Sequence, residues 1–97
     1  MSYPPGVILQ LPLSNPDRLA PFVEECIRDK VALIAVVGDG CRAVEDLIDD
    51  IILYGKGKGG DRFIATTSHP DETLEEVLEF VGSLPADRPG DPEVVTL

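Results

Sequence analysis

Few residues of this 97-residue chain have types and spacing suited to chemistry: one histidine, His69, two cysteines, Cys26 and Cys41, and a glycine-bracketed turn, Gly38-Asp39-Gly40. Cys41 directly follows that turn and has Arg42 beside it. The positive end of a helix starting there would lower the thiol pKa and make Cys41 a nucleophile or redox thiol, with His69 as its base. Cys41 also precedes Val44 by three residues and Ile48 by seven, which fits a small hydrophobe on the buried stripe of the same helix. Cys26, between Val23 and Ile27 on an apolar helical face, is expected to be inert core.

Residues 37–43, VGDGCRA, match the pattern G-x-G-x-x-A between an apolar run and a helix, where glycines let a phosphate approach helix-terminal amides. The end of the next strand offers Thr66, Thr67 and Ser68 where a ribose-binding acid belongs, and the chain is short for a dinucleotide domain. The plainer role of Gly38 and Gly40 is a tight turn, with Asp39 capping the helix. Ser14 and Ser68 lack the G-x-S-x-G elbow of a serine hydrolase. The glycine- and lysine-rich residues 55–60 have no Ser or Thr after either lysine, so they are expected to form a solvated connector instead of a Walker loop.

Eighteen acidic residues against eight basic ones give a net charge of -10, which opposes binding to nucleic acid or an anionic membrane. Glu45, Asp46, Asp49 and Asp50 line one helical face and Glu72, Glu75, Glu76 and Glu79 another. Each is expected to be a solvated surface, with sharing of a hard cation or docking to a basic protein as the alternatives. The apolar run at residues 31–37 is far below the roughly 20 residues that span a bilayer, and the start MSYPPGV lacks a basic, signal-like region. A cytoplasmic location is expected. With one histidine and no CxxC pair, neither a metal nor a cofactor is expected.

These residues must be positioned by a simple alternation of elements. Residues 7–11 (VILQL) and 31–37 (VALIAVV) fit strands, the second covered on both faces, and residues 62–67 (RFIATT) a third. Leu19, Phe22, Val23, Cys26 and Ile27 mark a first helix starting near Ala20. Val44, Leu47, Ile48, Ile51 and Ile52 mark a second, and Leu74, Val77, Leu78 and Val81 a third with capping residues at 68–71. The expected fold is α/β, a small open parallel sheet of Rossmann or flavodoxin-like type with helices on both faces and strand order 2-1-3, with a one-faced order 1-2-3 as the alternative. Residues 1–84 form the single domain. Residues 85–97 are a Pro/Gly-rich extension whose last five residues could add a short edge strand.

The segments CIRDKVALIAVVGDG and RFIATTSHPDETLEEVLEFV resemble a family of short bacterial proteins defined as a domain of unknown function, over roughly residues 7–84. The resemblance implies a small Rossmann-like fold and brings no activity. In such a sheet, ligands gather beyond the carboxyl ends of the strands, an edge expected to collect Ser14, Asn15, Gly38, Asp39, Gly40, Cys41, Ser68, His69 and Asp71. The expected function is a non-enzymatic module, monomeric or homodimeric, that binds a small ligand or a protein partner there. A thiol enzyme using Cys41 with His69, and nucleotide or phosphate binding at Gly38-Asp39-Gly40, are the alternatives.

Overall fold

The computed structural model describes residues 3–54, 64–84 and 90–97; the lysine-bearing connector and the Pro-rich stretch at 85–89 lie outside them. Apolar runs and amphipathic stripes alternate as β1 (Gly6–Gln10), α1 (Leu19–Arg28), β2 (Leu33–Val37), α2 (Cys41–Tyr54), β3 (Ala65–His69), α3 (Leu74–Ser83) and β4 (Glu93–Val95). A 3-10 turn (Pro16–Arg18) leads into α1, and Pro21 sits in the first turn of α1, where its missing amide hydrogen costs nothing. The four strands form one parallel sheet.

The order is β3-β2-β1-β4, which corrects the expected 2-1-3 and keeps the consecutive 1-2-3 of the alternative, but with helices on both faces. α1 and α2 pack against each other on one face, so successive right-handed crossovers step the chain from β1 to β2 to β3 in one direction. α3 lies on the opposite face against β1 and β2, and its crossover returns the chain past both to set β4 beside β1. The reversal therefore falls between β3 and β4, and the last residues form a paired strand.

β2 is buried at all five positions because both of its faces are covered. Ile34 and Val36 pack with Val7, Leu9, Val23, Cys41 and Ile48 beneath α1 and α2. Leu33, Ala35 and Val37 pack with Ile8, Val77 and Val81 beneath α3. Where β1 passes under α3, a Cβ on Gly6 would stand 2.5 Å from Val81 Cγ1, so only glycine lets the two elements approach this closely.

β3 runs further than expected, through Ser68 and His69, which belong to the strand and do not cap α3. The cap is Thr73. Its hydroxyl accepts from the Glu76 N–H at 3.2 Å, and the Glu76 carboxylate accepts from the Thr73 N–H at 2.8 Å. None of the described helices is long and apolar enough to cross a membrane.

Candidate functional site

The loops at the carboxyl ends of β1 and β2 are occupied with their own geometry. The Ser14 amide donates to the Leu97 carbonyl, and the exposed Asn15 accepts the Asp17 N–H at 3.2 Å to close the 3-10 turn. Gly38 has a φ of 117°, and a Cβ there would meet Leu11 Cβ at 3.1 Å, so its close neighbour is the chain itself. Gly40, with a φ of 80°, faces open space and holds the cap position of α2, a role expected of Asp39. Asp39 is exposed beside it.

Cys41 is 1% exposed and packs into the cluster beneath α1 and α2. His69 lies on the other face of the sheet, its ring 5.2 Å from that of Phe80 on α3. Both of its nitrogens are engaged: Nε2 is 2.8 Å from Thr67 Oγ1, and Nδ1 is 2.6 Å from Glu72 Oε1. The Cys41–His69 dyad does not form. Cys26 is fully buried, and that burial, reinforced by the carboxylates of Asp29 and Glu25, pushes its thiol up to about 12.

The structure gathers polar groups along β3 instead. Alternation along the strand turns Thr66 toward α2 and Thr67 and His69 toward α3. On the α2 face, Thr66 Oγ1 is 2.6 Å from Asp49 Oδ1 and 3.1 Å from Glu45 Oε2. A hydroxyl carries one proton and donates to one carboxylate at a time, so two carboxylates converge on a single donor. On the α3 face, the sequence of groups is hydroxyl, imidazole, carboxylate. A carboxylate facing Nδ1 favours the tautomer with its proton there, leaving Nε2 to accept from Thr67. That is the order of an acyl-transfer triad, but the ensemble is built within one strand and the turn after it. Its hydrogen bonds tie Glu72, at the approach to α3, to β3. An apolar cavity of about 340 Å³ lies at the opposite, amino end of the sheet, between Gly6, Leu33, Val81 and Pro92.

Among the described residues, the outer side of α3 is acidic. Asp71, Glu72, Glu75, Glu76 and Glu79 are all exposed, Phe80 is 36% exposed among them, and residues 70–84 contain no lysine or arginine. The expectation from sequence for Glu72, Glu75, Glu76 and Glu79 is a solvated face, with basic-protein docking as an alternative, and it does not bring Thr67 together with His69 and Glu72. The usable signal was spacing: positions 67 and 69 share a face once the strand is carried through His69, and Glu72 follows by three. Ending the strand at Thr67, before the capping types at 68–71, concealed it.

No curated protein and no solved structure matches the chain. The family model described as a domain of unknown function, DUF7684, matches residues 7–96.

Proposed function

Because the chain belongs to the DUF7684 family, a domain of unknown function, no activity is inherited with the fold, and we propose from its geometry that it is a non-enzymatic protein-binding module whose partner is basic. The observation that carries this is the α3 side of the molecule, where the exposed carboxylates of Asp71, Glu72, Glu75, Glu76 and Glu79 and the partly exposed ring of Phe80 fall in a stretch, residues 70–84, that holds no cation. Such a face draws a positively charged partner by long-range attraction, and Phe80 supplies the apolar contact that holds it after encounter. A small ligand at the carboxyl edge is less well served. Asn15 is used in a turn, Cys41 is core, and Gly38 approaches Leu11. The reading includes a cytoplasmic location, to which two unpaired buried thiols are suited.

A hexa-arginine peptide titrated into the isotope-labelled protein tests the reading by NMR. The amide resonances of residues 71–83 should shift first and furthest, and the shifts should collapse at about 0.5 M salt, where the Debye length falls to a few ångströms. Equal shifts at the acids of α1, α2 and α3, or shifts that persist in high salt, would count against an α3 docking face.

A further inference from the structure

The outer edge of β3 has the features of a strand acceptor. Among the described residues β3 pairs only with β2, in an unbroken parallel register from Leu33↔Ala65 to Val37↔His69. The Ala65 N–H donates to the Ala32 carbonyl at 3.0 Å, so Ala65, Thr67 and His69 turn their backbone groups toward β2. By alternation Thr66 and Ser68 turn theirs outward, a row of donors and acceptors that no described residue pairs with. Edge strands are commonly protected by a lysine, a proline or a bulge, and the five residues of β3, ATTSH, contain none. The opposite edge, β4, is three residues long, opens on Glu93 and has Pro92 immediately before it.

Carboxylates flank the β3 edge on both faces of the sheet. Asp49 and Glu45 are held on one face through Thr66, and Glu72 on the other through His69 and Thr67. An added strand would lie about 4.8 Å from β3 and send alternate side chains to opposite faces. Consecutive cationic residues in it would therefore meet Glu45 and Asp49 on one side and Glu72 on the other. From this juxtaposition we infer that β3 takes up an extended, arginine- or lysine-bearing segment of a partner protein as a fifth strand. The inference rests on the basic-partner reading and adds its mode: backbone pairing supplies affinity, and cations at adjacent positions supply selectivity.

The test uses the heptapeptide acetyl-Thr-Arg-Arg-Thr-Arg-Arg-Thr-amide, which places arginines on both faces when extended. Saturating peptide should slow hydrogen exchange at the Thr66 and Ser68 amides by about ten-fold or more, the change expected when an exposed amide gains a ladder bond. Ser68→Pro removes one outward N–H while leaving the bonds to β2, and should weaken binding by about ten-fold, whereas Ser68→Ala should not. If the proline variant fails to fold, the exchange measurement on the natural chain still decides. Unchanged exchange at both amides, with peptide-induced shifts confined to α3, would overturn strand addition and leave the acidic docking face standing. No binding at about 1 mM peptide, a free energy near 4 kcal/mol, would overturn both.

Discussion

The Cys26 thiol remains protonated in the folded chain far past the pH at which a solvated thiol ionises, and this makes it a reporter of folding. Its pKa rises from an ordinary 9.0 to about 12, with burial the main cause. The unfolded chain therefore loses this proton first as pH rises. The group's contribution to stability is intact below about pH 9 and is lost as pH climbs toward 12, with a slope of at most about 1.4 kcal/mol per pH unit. Urea midpoints followed from pH 8 to 11 should fall more steeply for the natural chain than for Cys26→Ala, and parallel curves would contradict this assignment. The core role of Cys26 was legible from its place between Val23 and Ile27, and the competing core role of Cys41 from its spacing to Val44 and Ile48. The position of His69 was not, because proline and aspartate at 70 and 71 resemble a helix start as much as a turn after a longer strand. The difference reassigns the imidazole from a thiol's base to a link between Thr67 and Glu72.

At the scale of elements, residue patterning located the three α-helices and β1, β2 and β3 to within a few residues, since burying one helical face or both faces of a strand leaves a direct imprint on residue type, while β4 stayed open between a strand and a loose end. Strand order left no such imprint. An apolar β2 records that helices cover both its faces, but not which helix lies on which face, and that assignment decides whether the chain steps onward or reverses. Contact between β1 and α3 is equally hidden, because Gly6 resembles another turn residue after Pro4-Pro5 until Val81 is placed on top of it. Gly6→Ala should destabilise the fold by about 1–3 kcal/mol through overpacking. Adding Val81→Ala should restore part of the loss, despite its own cost, because the methyl group in conflict is removed. Denaturant midpoints of the two single variants and the double variant measure the coupling, and strict additivity would show that the two residues do not interfere.

For the molecule as a whole, a charge of -10 on 97 residues is an opposing force on the native state, with the carboxylates of α2 and α3 held on a small surface. Sodium chloride raised from about 10 mM to 0.3 M shortens the Debye length from about 30 Å to below 10 Å and should raise the thermal midpoint. Replacing Glu75 and Glu79 with Gln should flatten that dependence. A salt-independent midpoint in the natural chain would show that self-repulsion is not a significant term. β1 lies between β2, which follows it closely in the chain, and β4, which is made of residues 93–95. While the chain is being made, β1 can pair with β2 as soon as residues 33–37 appear, but its other side stays open until synthesis has passed residue 95. The growing chain therefore exposes that flank of β1 for the whole interval between the making of β2 and the making of β4.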